Sequence, residues 1–301
     1  MRNKITIFVI MGLLVSSGIA VSSTQAHEKC SLQTMTGTYA FYEKGSSLLN
    51  FDPNNPAYLP YFVGGIAPFV TVGEVTFTSE GVGDGFYWIS IGAINGGEKP
   101  IPVHVTITEM NRDCTGKFQY NVTLPPFIPS ATIEERFILF DDGREYRSVP
   151  ISISGGIETL AWFGVGQRIR KSGEPAHSCG PHTANGTYLL TAENIVLRDI
   201  HEGVADTLFI REDVSHSGRY TGTLYEKNGA LSIDVLPVFG TYTVNADCSF
   251  SSTLKFYLLG TNELVTIVIN GVFFDEGKQY YALAIDAGVP YSFAMGERIS
   301  Q

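Results

Sequence analysis

Asn111-Arg112-Asp113-Cys114-Thr115-Gly116-Lys117-Phe118-Gln119-Tyr120-Asn121-Val122-Thr123-Leu124 is a turn, a cysteine and then a strict alternation. Phe118, Tyr120, Val122 and Leu124 share one face; Lys117, Gln119, Asn121 and Thr123 share the other. A period of two specifies a β-strand with one side packed on apolar material. The pattern returns later in the chain. Asn245-Ala246-Asp247-Cys248 repeats the turn, and from six residues beyond that cysteine Leu254, Phe256 and Leu258 point one way, with Lys255 opposite. The second occurrence preserves the face that goes inside as well as the residue types.

Further landmarks keep the same order. Cys30, six residues, then Gly37-Thr38-Tyr39 returns as Cys179, six residues, then Gly186-Thr187-Tyr188. Phe140-Asp141-Asp142-Gly143 stands 26 residues past Cys114, and Phe274-Asp275-Glu276-Gly277 stands 26 past Cys248. Gly166-Gln167-Arg168-Ile169 closes the first copy and Gly296-Glu297-Arg298-Ile299 the second. The chain reads as a tandem duplication. In each copy alternating segments are separated by turn residues such as Ser79-Glu80-Gly81, Asn228-Gly229 and Glu276-Gly277, which gives about eight short strands per copy. The expected strands cover 38–42, 70–78, 85–91, 103–109, 117–124, 135–140, 145–153 and 159–164 in the first copy. In the second they include 187–191, 205–211, 219–226, 240–245, 264–273, 279–285 and 291–295. A meander of that size has two exposed edges unless it closes. The expected fold is all-β, two tandem antiparallel up-and-down β-barrels of about eight strands each, with β-sandwiches as the alternative.

Domain limits follow from the landmarks: residues 1–26 as a signal peptide, 27–170 as the first barrel, 171–178 as a polar linker and 179–301 as the second barrel. Arg2 and Lys4 precede an apolar run from Ile5 to Val15 and a small-residue stretch ending at Ala26, the pattern of a cleaved export signal; an uncleaved membrane anchor is the alternative. A secreted or periplasmic protein is implied, with no membrane insertion after cleavage. The whole chain carries a net charge of −10, which becomes −12 without residues 1–26. Nucleic acid and anionic membrane are excluded as partners, since both require a basic footprint. Four cysteines, two per copy, predict one disulfide within each domain, Cys30 to Cys114 and Cys179 to Cys248, in an oxidising compartment.

Gly240-Thr241-Tyr242-Thr243-Val244-Asn245-Ala246-Asp247-Cys248, Gly277-Lys278-Gln279 and the opening Gly-Thr-Tyr of each copy resemble a group of uncharacterised exported bacterial proteins. Their domains look like barrels of the allene oxide cyclase and dirigent type, a lipocalin-like architecture. The resemblance implies a fold; it assigns no catalytic residue, and barrels of this shape host cyclases, stereochemical guides and passive carriers.

The chain has no nucleophile elbow, phosphate loop, dinucleotide fingerprint or zinc-protease motif. His27 would head the mature chain and, with a second histidine from among His104, His177, His182, His201 and His216, makes no more than a weak copper set; His177 and His182 beside Cys179 make a poor zinc set. No metal and no cofactor are expected. Asp141-Asp142 and Asp275-Glu276 precede glycine and read as turns, and Arg168 and Arg298 as closing salt bridges. Candidate ligand-binding residues are aromatic: Tyr58, Tyr61 and Phe62 in a Pro-rich insertion of the first copy, and Phe86, Trp88 and Trp162 in its strands. The expected partner is a small apolar molecule held in a barrel cavity. A cofactor-free cyclase or isomerase and a structural or adhesive envelope protein with solid barrels are the alternatives.

Overall fold

The structure is a computed structural model. It describes residues 30–49, 66–91, 94–95, 99–124, 128–154, 157–173, 179–193, 207–228, 232–257, 263–285 and 293–300. Residues 1–26, the polar stretch 174–178, and Tyr58, Tyr61 and Phe62 lie outside the described residues.

The first barrel is built from β1 (Gly37–Leu49), β2 (Ile66–Phe77), β3 (Val82–Ile91), β5 (Ile101–Met110), β6 (Thr115–Leu124), β7 (Ile128–Phe140), β8 (Glu145–Ser154) and β9 (Ile157–Lys171). The two-residue strand β4 (Ile94–Asn95) pairs antiparallel with the end of β3. Each stave is antiparallel to its neighbour, and β1 pairs with both β2 and β9, which closes the cylinder. The second barrel runs β10 (Gly186–Glu193), β11 (Thr207–Ser215), β12 (Arg219–Asn228), β13 (Ser232–Val244), β14 (Ser249–Tyr257), β15 (Leu264–Phe274), β16 (Gln279–Ala284) and β17 (Phe293–Ser300), and closes by pairing β10 with β17. Closure removes both sheet edges. Several strands are longer than turn chemistry suggests: β13 begins at Ser232, eight residues before the expected start at Gly240.

The duplication extends to backbone detail. Tyr39 pairs with Arg168 and Tyr188 with Arg298, each immediately after a break in register. Disulfides join Cys30 to Cys114 and Cys179 to Cys248, so each barrel closes on itself. Cys114 and Cys248 both sit at φ 69°, and their carbonyls accept from the backbone N–H of Leu139 and Phe273.

One end of each barrel is plugged by the same parts. Asp141, Asp142 and Gly143 have φ of 49°, 54° and 76°; Asp275, Glu276 and Gly277 have 49°, 55° and 77°. Three consecutive left-handed residues form a tight turn. The buried Tyr39 hydroxyl donates to the Gly143 carbonyl, and that of Tyr188 to the Gly277 carbonyl. Glycine is required at the third position: a Cβ at Gly143 would lie 2.4 Å from the Thr34 carbonyl oxygen, and one at Gly277 2.3 Å from that of Thr183. The acids of both turns are exposed and lie in a tight turn, in agreement with their reading as turns. The arginines differ from expectation. Arg168 donates to the carbonyls of Thr34 (3.1 Å) and Asp142 (3.2 Å), and Arg298 to those of Thr183 (2.7 Å), Glu276 (3.3 Å) and Gly277. A left-handed turn points its carbonyls at the arginine, so main-chain oxygens replace the expected carboxylate partner.

Each barrel has its own apolar interior, and a third apolar cluster lies between them. Ala40, Val70, Val72 and Trp88 from the outer face of the first barrel meet Val272, Phe274, Tyr281, Leu283, Ile285 and Phe293 of the second. Tyr42 packs against Tyr281 (ring centroids 4.8 Å apart) and Phe293 (4.7 Å). Glu74 borders this junction; burial, then the nearby Asp247 charge, raise its pKa to about 8 against the opposing pull of Arg170. The barrels retain separate cores and share an apolar seam.

Candidate functional site in the first barrel

The alternation that builds the first barrel also aims a set of polar groups inward. Tyr39, Phe41 and Glu43 occupy one face of β1, and Ala131, Ile133, Glu135 and Phe137 one face of β7. Around them lies a cavity of about 70 Å³. Its walls are mainly aromatic and branched aliphatic, including Phe41, Phe69, Tyr87, Ile133, Tyr146 and Trp162; Thr71, Tyr120, Glu43 and Glu135 are the other polar lining groups. Among the described residues no Lys, Arg or His lines it.

The two carboxyl groups are linked through one phenol. The Tyr120 oxygen is 3.0 Å from Glu43 Oε1 and 2.9 Å from Glu135 Oε1. The Trp162 indole N–H donates to the same Glu135 oxygen at 2.6 Å, and the Thr71 hydroxyl donates to Glu43 Oε2 at 3.2 Å. Hydrogen-bond inventory decides how the protons sit. A phenol has one hydrogen, and an indole N–H can only donate. Glu135 Oε1, already accepting from Trp162, is the natural acceptor of the Tyr120 hydrogen. The second contact of Tyr120 then requires a proton on Glu43: Glu43 donates to Tyr120, and Tyr120 donates to Glu135.

Burial alone would favour the proton on Glu135, which is 1% exposed, over the half-buried Glu43; the donors Trp162 and Tyr120 on Glu135 Oε1 decide the assignment instead. Burial raises the Glu43 pKa well above the usual carboxylate range, the neighbouring Glu135 charge raises it further, and the bond from Thr71 opposes this. Burial also raises Glu135, with opposition from its hydrogen-bond donors, Trp162 and Tyr120 among them. Tyr120 and Tyr146 are pushed well above an ordinary phenol, chiefly by burial and then by the two acids.

Tyr87 completes the set. It is 4% exposed, lines the cavity, and its hydroxyl has no hydrogen-bond partner among the described residues. A buried unpaired hydroxyl costs about 1–3 kcal/mol, and native structures leave few of them.

Of the candidate aromatics, Trp162 lies on the cavity wall. Phe86 and Trp88 do not: they face out of the barrel, with rings 5.3 Å apart, and border a cleft of about 420 Å³ at the junction. Strand parity explains the correction, because in Phe86-Tyr87-Trp88 it is the middle residue that points inward. The second barrel holds a smaller void of about 30 Å³ beside Glu212, Tyr220 and Tyr280. There the Tyr280 hydroxyl donates to Glu212 Oε2 at 3.3 Å; burial raises the Glu212 pKa to about 7 against this bond. Among the described residues no group of three or more His, Cys, Asp or Glu is arranged to hold a metal ion, and no helix is long and apolar enough to cross a membrane.

No protein-family model matches the chain, and no curated protein matches it. Among solved structures, an isotype 1 transferrin binding protein B from serogroup B Neisseria meningitidis aligns with 88% of this chain and 76% of its own, at 12% identity and a TM-score of 0.27. A protein of unknown function from the DUF3598 family of Nostoc punctiforme PCC 73102 aligns over 90% of this chain and all of its own, at 8% identity and a TM-score of 0.23. At these scores the fold rests on the strand pairings above.

Proposed function

We propose that this is an exported protein whose first barrel binds a small, mostly apolar molecule in its interior. One observation carries the reading: the aromatic cavity of the first barrel has an unpartnered buried hydroxyl, Tyr87, on its wall. Apolar cavities with a few convergent polar groups are the usual form of small-molecule sites. The void argues against a purely structural envelope role with solid barrels. Its size limits the occupant. An engineered apolar cavity of roughly 150 Å³ takes benzene, so about 70 Å³ suits a few heavy atoms or one end of a longer molecule. The two disulfides support export, since such bonds persist in oxidising compartments.

A second reading, a cofactor-free cyclase or isomerase, is favoured by the Glu43–Tyr120–Glu135 chain, which offers a proton donor and an acceptor in one cavity. Native mass spectrometry of protein purified from its own host tests the binding reading. We expect a co-purifying small molecule that a bulky substitution at the cavity wall, Ile133→Trp, displaces. Repeated preparations with no bound species, together with no ligand uptake from host extract, would remove it. Chemical conversion of the released molecule on re-addition would favour the enzyme.

A further inference from the structure

We infer that the ligand of the first barrel is a small organic cation, a protonated amine with a short apolar body, held between Glu43, Glu135 and the Tyr87 hydroxyl. This rests on the cavity-binding reading and gives it a ligand class. Among the described residues the cavity wall carries two acids and no basic side chain, an imbalance that buried sites normally avoid by pairing. Without a cation beside them, Glu43 and Glu135, tied through Tyr120, hold one shared proton and one negative charge. That charge has hydrogen-bond donors but no counter-cation among the described lining residues. Independently of the acids, the buried Tyr87 hydroxyl is unpartnered and can accept a hydrogen bond. An ammonium group supplies positive charge and several N–H donors, matching both deficits. The surrounding rings of Phe41, Phe69 and Trp162 suit a cation as well as an alkyl body, because aromatic faces attract positive charge. A carboxylate ligand would meet like charge. A neutral alcohol could pair with Tyr87 and would leave the acids as they are.

The proton inventory makes binding pH-linked. With the cation in place, Glu43 gives its proton to solvent and accepts from the ammonium, while Tyr120 continues to donate to Glu135. The groups facing the acids are Tyr120, Thr71, Trp162, Tyr87 and Tyr146. The tyrosines are held above the ordinary phenol range and Thr71 and Trp162 do not titrate, so the linkage belongs to the two acids. Burial, then the Glu135 charge, hold Glu43 well above the usual carboxylate range.

The experiment titrates the folded two-barrel protein with methyl- to hexylammonium and with the matching alcohols. Calorimetry is run in two buffers of different ionisation enthalpy, and the Trp162 indole N–H is followed by NMR. Expected results are saturable ammonium binding, proton release, at least about tenfold tighter affinity at pH 8 than at pH 5, and alcohols at least about tenfold weaker at pH 8. Glu43→Gln should abolish the proton release, and Tyr87→Phe should weaken binding with Glu43 intact. Alcohols binding as tightly as the ammonium ions, or an affinity that falls as pH rises, would overturn the cation assignment and leave the cavity reading standing. An unmoved Trp162 resonance with every probe would count against both.

Discussion

Glu43 in the first barrel and Ala192 in the second stand at matching positions, four residues past the buried tyrosines Tyr39 and Tyr188. Counted from the cysteines Cys114 and Cys248, Tyr120 is matched by Leu254 and Glu135 by Ile269. In the opposite direction, Val75 is matched by Glu212, since Thr38 pairs with Thr76 as Thr187 pairs with Asp213. The parts that repeat faithfully are the bridge, the left-handed turn, the tyrosine and the arginine, and they plug and staple the cylinder. The inward carboxyl groups do not repeat. The skeleton and the interior are therefore separable, and the first interior has room of about 70 Å³ against about 30 Å³ in the second.

The largest expected effect concerns the shared skeleton. The bridges close loops of 84 and 69 residues, and loop entropy makes each worth about 4 kcal/mol with little difference between them. Replacing Cys30 and Cys114 with serine, or Cys179 and Cys248, should lower stability by similar amounts in denaturant titrations. A bridge that can be removed without loss would break the equivalence of the two barrels.

The next effect separates the interiors. Glu212 has a folded pKa of about 7 against its usual 4.5, so the folded protein keeps a proton that the unfolded chain has released. Its contribution is fully present below about pH 4.5 and is lost as pH rises through 7, up to about 3 kcal/mol in all. Glu212→Gln should therefore gain on the parent between pH 5 and pH 8 in unfolding midpoint. A gap that does not change with pH would show that Glu212 titrates normally.

Smaller again is the matched pair of plugs. Tyr39→Phe and Tyr188→Phe each remove a buried phenol-to-carbonyl bond, for a loss of about 1–2 kcal/mol in each case. Thermal unfolding that affected only one of them would mean that the plugs are not equivalent. The smallest effect lies in the turn itself. Glu276 at φ 55° and Asp142 at φ 54° occupy the same left-handed position, which aspartate tolerates better than glutamate. Glu276→Gly should stabilise by about 1 kcal/mol and Asp142→Gly by less. Equal gains would show that local side-chain bonding plays no part there.

The closed all-β pair and its bridges were legible because alternation and spacing report backbone geometry directly. The interior acids were legible only in principle. Carrying the Tyr39, Phe41 register two residues further puts Glu43 inside, and the Ile133, Phe137 register puts Glu135 there; ending the expected strand at Tyr42 and starting the other at Glu135 hid both. Charge suggested strand ends where the strands in fact run on with acids facing inward. The seam had a signal as well: Tyr280-Tyr281-Ala282-Leu283-Ala284-Ile285 is apolar without alternation, as expected of a strand covered on both faces. The shared proton was beyond reach, because it depends on three groups from β1, β6 and β7 converging in space.

The seam also sets a condition on biogenesis. A chain threaded out N-terminus first completes its first cylinder while residues 264–293 are still to come, so Tyr42, Val70, Val72 and Trp88 present a greasy flank to every other nascent chain nearby. The first half thus passes through a sticky adolescence that only its own C-terminal half, or a holdase standing in for it, can end.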